Sequence, residues 1–398
     1  MTKPQLDVVI VGGGIGGLFA ANALIANGLQ VSVHEQALAL GEVGAGVFLT
    51  PNSVRNLQRV GLSSAVEKWG AKVGFNSQYF RHIGTPIAPV QVTDTLGWTA
   101  YGMHRADLVG LLASALPTGI VRTGYRCTGF EQDSKAGWVS FANGTIVESD
   151  VIVGADGIHS ALREHAVPAS QTIFSGSIAY RGVVATERLP DWPAYCWSMW
   201  LGPGKHFLTY PLRAGALINF VAFVPADEPM KESWSTAGDP DALRREFSGW
   251  DPRVEHFLRQ VTTTFRSALY DRDPLPTWTK GRLTLLGDAA HPILPHHGQG
   301  ANQSIEDGIA LAKILASAEQ AAVPAALAAY ERLRRDRTAA IQRGARENGL
   351  RYDSRYGDLN VRDAEIAALA EFRRQLYDYD VVLEARVAGT ALAARSRG

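Results

Sequence analysis

Apolar positions fall into distinct textures along this chain, and each predicts a different kind of element. Leu6-Asp-Val-Val-Ile-Val11 is almost continuously apolar, as in a strand covered on both faces of a parallel sheet. Helical spacing follows from Leu18 to Ala26, and Leu29-Gln-Val-Ser-Val-His-Glu35 reads as a second strand, giving a βαβ unit with a right-handed crossover. Helices are predicted at Asn52–Val60 and, from Leu108, Leu111 and Leu112, at Arg105–Ala115. Between Ser177 and Val224 the pattern shortens. There His206-Phe-Leu-Thr-Tyr-Pro-Leu212 and Ala216-Leu-Ile-Asn-Phe-Val-Ala-Phe-Val224 predict antiparallel strands. Pro225–Trp250, rich in Pro, Asp, Glu and Ser, predicts loops and a surface helix. Arg282-Leu-Thr-Leu-Leu-Gly-Asp288 restores the buried-strand texture. Helices are then predicted at about 300–317 and 325–347, with further helical spacing at Ile366, Leu369, Phe372 and Leu376.

The returning strand implies a discontinuous first domain. The reading is α/β: a Rossmann-like dinucleotide-binding domain at 1–75, 100–175 and 275–355, an inserted antiparallel β-sheet domain at 76–99 and 176–274, and a C-terminal helical segment at 356–398. Composition narrows the partners. Lys+Arg and Asp+Glu are both 39, a net charge of zero, which argues against the basic stripe of a nucleic-acid binder. Two distant cysteines, Cys127 and Cys196, make neither a disulfide framework nor a zinc site. No run approaches the roughly 18 apolar residues of a membrane span, so the expectation is a cytoplasmic protein, monomer or homodimer, with no membrane partner.

Candidate chemistry starts between the first strand and helix. Gly12, Gly14 and Gly17 supply G-x-G-x-x-G in the order that gives a tight turn, close backbone approach to a pyrophosphate and close helix packing. The phosphates would sit at the helix N-terminus, where unpaired N–H groups and the dipole favour negative charge. Glu35 ends the second strand, placed to accept from an adenosine ribose, and an acid there disfavours a 2′-phosphate. FAD and NAD both remain open on these residues alone.

Two later motifs bear on that choice. One is Asp150-Val-Ile-Val-Gly-Ala-Asp156-Gly157-Ile-His-Ser160-Ala-Leu-Arg163; the other is Gly287-Asp288-Ala-Ala-His291-Pro, continuing through Pro295-His296-His297-Gly298-Gln-Gly300-Ala301-Asn302. With the N-terminal glycines they resemble the three fingerprints of the class A flavoprotein aromatic hydroxylases. Tyr330-Glu331…Arg334-Arg335…Arg337 and Tyr377-Asp-Tyr-Asp380 are similar to salicylate hydroxylase and 6-hydroxynicotinate 3-monooxygenase relatives. The resemblance implies FAD as cofactor, NADH or NADPH as co-substrate, and oxygen from O2, activated as a C4a-hydroperoxide, placed on a small aromatic ring. The ring would be of phenol, hydroxybenzoate, hydroxypyridine or indole type. It also implies Arg105 as a contact to FAD phosphates, Asp156 and Arg163 as the motif tied to FAD pyrophosphate and NAD(P)H, Asp288 as a contact to the ribityl chain, and Pro295 beside C4a; spacing alone equally allows Arg163 a surface or ion-pair role.

The residues support parts of this independently. Asp288 lies at the carboxyl edge of a sheet, where open α/β folds bind ligands. The helix starting at Gly300-Ala301-Asn302 can stabilise negative charge on a reduced ring, and glycines at 298 and 300 let backbone approach a flat ring. On the substrate side, His206 and Tyr210 are four apart on a predicted strand and so share a face. Their competing reading is a solvated sheet face. His296 and His297 adjoin the expected flavin edge. Phe48 is expected to face the pocket, with Phe220 a further lining candidate against plain core. No metal is expected: Asp288, His291, His296 and His297 belong to one fingerprint loop. The rivals are a ubiquinone-pathway hydroxylase, a dehydrogenase using the first motif alone, and a non-catalytic flavin-binding protein.

Overall fold

Asp7–Val11 lies near the centre of a six-stranded sheet because both of its faces are covered, four of its five residues being buried. The order across the sheet is Thr279–Lys280, Leu283–Leu285, Val151–Gly154, Asp7–Val11, Gln30–Glu35 and Val121–Thr123. All neighbours are parallel except the Thr279–Lys280 edge. The computed structural model describes residues 5–41, 46–168, 170–226, 236–353 and 356–395. Part of the expected loop segment Pro225–Trp250, residues 227–235, lies outside them.

The second sheet has eight strands, in the order Thr236–Gly238, Thr264–Asp271, Ile173–Ala185, Leu217–Pro225, Lys205–Leu212, Ser198–Gly202, Gln78–Arg81 and Pro86–Pro89. It is antiparallel apart from Ser198–Gly202 beside Gln78–Arg81. One face is closed by helices Pro240–Glu246 and Pro252–Arg259, each opened by an aspartate whose side chain accepts an N–H two residues on, with Pro at the first helical position. Phe207, Phe220, Phe247 and Phe257 fill the space beneath them, all fully buried, each contributing about 1.5–3 kcal/mol by burial.

The other face of that sheet looks toward the first domain's motifs. A small sheet of Gly46–Leu49, Tyr101–His104 and Ala71–Lys72 joins the two parts. Contact there is close enough that a side chain at Gly102 would lie 1.9 Å from the Pro211 carbonyl oxygen. Helices Ile15–Ala26 and Gly300–Leu315 pack together against the parallel sheet. The long helix spans Val323–Tyr352, beyond the expected end near 347, and helices Leu359–Asp378 and Val381–Arg395 follow. The strand expected up to Asp288 stops at Leu285, because Gly287 turns the chain at φ +62°.

Candidate active site

The crevice begins at the glycines after Asp7–Val11. Gly12 has φ +112°, and a Cβ on it would lie 2.2 Å from the Ala155 carbonyl oxygen; one on Gly17 would lie 2.0 Å from that of Gly12. At Gly14, the first turn's N-cap, a side chain would meet nothing within 4 Å. Two glycines therefore allow close packing and the third leaves open space at a helix N-terminus. Glu35 holds the turn: its Oε2 accepts from Gly13 N–H at 2.6 Å and its Oε1 from Ala37 N–H at 2.7 Å.

The second and third motifs are fastened together by Arg163. Its guanidinium donates to the carbonyls of Ala289 (2.7 Å), Asp288 (2.8 Å) and Ile158 (2.7 Å) and is buried. It joins the two loops rather than forming a surface ion pair. Asp156 Oδ2 accepts from Ala161 N–H, while its Oδ1 is buried with no hydrogen-bond partner among the described residues. Asp288 is exposed, and its Oδ1 lies 3.8 Å from where a Cβ on Gly300 would stand. Burial raises its pKa, and Arg105, at the start of helix Arg105–Ser114, is the main opposing influence. Open space at a helix N-terminus, an unpartnered acceptor and an exposed carboxyl near a cation fit a dinucleotide with hydroxyl donors.

Behind the loop lies a buried charge network. Asp307 accepts from Gly287 N–H (3.1 Å), His291 Nε2 (2.6 Å) and Arg334 Nε (2.7 Å). Glu306 takes Arg334, Arg337 and Asn52. Burial pushes the Asp307 pKa up, but His291 and Arg334 outweigh it and hold it at about 2. His291 is thereby a scaffold residue.

At the far end, Pro295–His297 forms a single 3₁₀ turn ended by Gly298 at φ +63°. The Asn302 side chain donates to the Gly298 (2.6 Å) and Phe48 (2.8 Å) carbonyls and accepts from Thr50 N–H (2.9 Å). This fixes strand Gly46–Leu49 beside the loop, ahead of the first amides of helix Gly300–Leu315, which have no preceding helical carbonyl. Three register rows cross the facing sheet: Tyr210 with Asn219, Leu208 with Val221 and Arg181, and His206 with Phe223 and Ala179. Phe48 lies between Gly298 and Tyr210, its ring 5.6 Å from the tyrosine's. Tyr210 is pushed up in pKa by burial, partly offset by Arg181 and Arg105; Arg181 is pushed down to about 10 by burial and by Arg105.

The family model for the FAD binding domain matches residues 5–345. A 3-amino-4-hydroxybenzoate 2-monooxygenase of Streptomyces platensis is 38% identical over 86% of this chain and 87% of its own length. A 6-hydroxynicotinate 3-monooxygenase of Pseudomonas fluorescens is 32% identical over 86% and 90%. A salicylate hydroxylase solved with substrate superposes with a TM-score of 0.85 at 30% identity, covering 96% of this chain and 98% of the other. The chain belongs to the FAD-dependent aromatic-ring monooxygenases. The match spans all three motifs, which a dehydrogenase built on the first alone would not give.

In this monooxygenase FAD is the cofactor and NAD(P)H the co-substrate. The structure brings Gly12, Gly14, Gly17, Glu35, Arg105, Asp156, Asp288, Gly298, Gly300, Ala301 and Asn302 to one crevice. His206 and Tyr210 share the facing sheet, with Leu208 between them. Two expectations are corrected. Phe220 stands opposite Thr209 and so points to the other face, its ring 5.7 Å from Phe257's beneath the helices; it does not line this cleft. His297 turns to the C-terminal helices, 2.9 Å from Asn348 Nδ2 with its ring 5.0 Å from Phe372's. Only His296 of the pair faces the sheet, its ring 5.3 Å from that of His206. A recess of about 410 Å³ lined by Phe80, Trp192, Trp200 and Arg253 opens on the opposite face and takes no part here.

Sequence reasoning did not find Arg181 or Asn219. Asn219 Oδ1 accepts from Gly46 N–H at 2.8 Å, and its Nδ2 is buried without a partner among the described residues. Both follow from the alternation of their strands once Tyr210 fixes the phase. What was lacking was the register between strands. Among the described residues, no helix is long and apolar enough to cross a membrane.

Proposed function

We propose that this monooxygenase hydroxylates a hydroxylated aromatic carboxylate lying between the Pro295–Gly298 loop and the Tyr210–Arg181–His206 face. The observation that carries the reading is Arg181: a half-buried guanidinium, its Nε shielded from solvent, on the cleft face and close enough to Arg105 for mutual repulsion. An anion between such groups relieves that repulsion in a low-dielectric site. The 3-amino-4-hydroxybenzoate, 6-hydroxynicotinate and salicylate in the relatives' names are all hydroxylated aromatic carboxylates.

Bound FAD supplies hydride acceptance from NAD(P)H and activation of O2; the protein supplies position, water exclusion and electrostatics. Arg105, Asp156 and Asp288 hold the cofactor with the glycines. Arg181 takes the substrate carboxylate, Phe48 covers the ring, and His206 and Tyr210 are the groups that handle the substrate hydroxyl proton. A positioned base of that kind contributes roughly 10²–10⁴-fold. The crevice lies between the domains at 1–75, 100–175 and 275–355 and at 76–99 and 176–274, in a monomer or homodimer drawing on cytoplasmic NAD(P)H and O2.

The test is a paired panel: hydroxybenzoates and hydroxynicotinates against the same rings without the carboxylate. The carboxylate should raise kcat/KM at least about 10-fold, or about 1.4 kcal/mol, and Arg181→Gln should erase most of that difference. Equal turnover of the decarboxylated rings sinks the substrate assignment.

A further inference from the structure

His206 is enclosed and its two ring nitrogens differ. The residue is 1% exposed, its ring stacked on Phe223 at 4.1 Å and 5.4 Å from the Tyr352 ring. Nδ1 lies 2.9 Å from Asp353 Oδ1. An ionised carboxylate can only accept a hydrogen bond, so Nδ1 carries the proton. Nε2 is then the lone-pair nitrogen, buried and without a partner among the described residues. An acceptor left so carries its desolvation cost uncompensated. It is met only when a donor arrives.

Asp353 is held in place for this contact from both sides. It follows the last residue of helix Val323–Tyr352; its N–H bonds the Gly349 carbonyl, and its carbonyl accepts from Gly204 N–H in the hairpin turn leading into His206. Its side chain is 22% exposed, against 1% for His206. The pair therefore runs from a carboxylate at the water boundary to a bare nitrogen in the interior. Among the described residues, the other titratable rings against His206 are His296, from the Pro295 loop, and Tyr352. The neighbouring Lys205 is held by Glu246.

We propose that Asp353 is the positioning residue that makes His206 a proton acceptor for the substrate hydroxyl. This rests on the reading of His206 given above and deepens it. In the step, the substrate O–H bond breaks, an Nε2–H bond forms, and the electron pair stays on the phenolate oxygen; nothing is oxidised or reduced. The resulting imidazolium is stabilised by the Asp353 carboxylate, which stays ionised. Return of the proton to the hydroxylated product resets the pair.

The test compares Asp353→Asn, Asp353→Glu and His206→Gln as FAD-loaded enzymes, reading kcat, KM, coupling of NAD(P)H oxidation to product, and the pH profile of kcat. In Asp353→Asn the amide can donate to Nδ1 and impose the wrong tautomer. The kcat for hydroxylation should fall roughly 10²-fold or more, with KM changed by less than about 3-fold. The acid limb of the profile should move to lower pH, because the imidazolium has lost its anion. Asp353→Glu should recover part of the rate. His206→Gln with wild-type rate and profile overturns the base assignment and this inference with it. His206→Gln impaired beside a wild-type-like Asp353→Asn overturns the inference alone. A measurement on the unmodified holoenzyme stands apart from any folding defect: nitrogen NMR of His206, assigned by difference from His206→Gln, should show a protonated Nδ1 and a bare Nε2. The opposite tautomer contradicts the proposal.

Discussion

Replacing Arg334 by Met tests the support behind the flavin loop. Arg334, Glu306 and Asp307 have side chains fully shielded from solvent, and Arg334 bonds both carboxylates and the Gln303 amide oxygen. Methionine fills similar space but leaves Asp307 with His291 and the Gly287 N–H, and Glu306 with Arg337 and Asn52. Removing one partner of a buried ion pair costs about 3–5 kcal/mol. The surviving partners put this case near the low end, about 3 kcal/mol. At an unfolding entropy of about 2.1 cal/mol/K per residue, the 398 residues turn that into a melting point about 4 °C lower. Because Asp307 holds the amide of Gly287, immediately before Asp288, FAD affinity should fall in the same variant. Arg334→Lys, a point charge that cannot bridge both acids, should lie between. Calorimetry and fluorescence titration of FAD read the two effects. An Arg334→Met protein that melts like wild type and binds FAD equally well would show that the network neither stabilises the fold nor supports the loop. An early melt with full FAD affinity would leave the network structural but unconnected to the loop.

Asp288→Ala should weaken FAD binding roughly 10-fold or more, since it removes a charged hydrogen-bonding group worth about 1.5–3 kcal/mol; equal retention of flavin on gel filtration removes its assigned role. Acid should destabilise the holoenzyme before any carboxylate titrates normally. Burial lowers His34 to about 4 and His297 to about 3, so the unfolded chain takes up protons first as pH falls through about 6.5. Stability is therefore complete above that value and declines toward pH 5, by up to about 1.4 kcal/mol per pH unit for each such histidine. A flat melting temperature from pH 7 to 5 contradicts this. Tyr210→Phe should keep the fold and FAD but divert NAD(P)H oxidation toward H2O2, which a peroxide assay reads against product; unchanged coupling removes Tyr210 from the site.

Most of the cofactor crevice was legible in the sequence because its requirements are local. A glycine at φ +112°, a helix N-terminus and a strand-end acid are set within a few residues of each other, and the motifs recur in one order. The face that meets the substrate depends instead on register between distant strands. His206 and Tyr210 could be read as sharing a face because they lie on one strand; Phe220 was misplaced because its phase is set by pairing with Thr209 across a hairpin. His297 followed from proximity in sequence, but a single 3₁₀ turn sends adjacent side chains in different directions. Asp353 gave no local signal at all. It reaches His206 only because the long helix continues past Glu347, where the charged pattern no longer marks a boundary.

If this crevice holds FAD, the enzyme should pass one oxygen atom to an aromatic ring. The most direct measurement is a turnover of the purified holoenzyme with NAD(P)H, isotopically labelled O2 and a hydroxylated aromatic carboxylate, followed by mass spectrometry of the product. The expected product is a hydroxylated ring carrying one labelled oxygen, formed in proportion to the NAD(P)H consumed. Reductant consumed with every such carboxylate, yielding only peroxide and unaltered ring, would contradict that transfer.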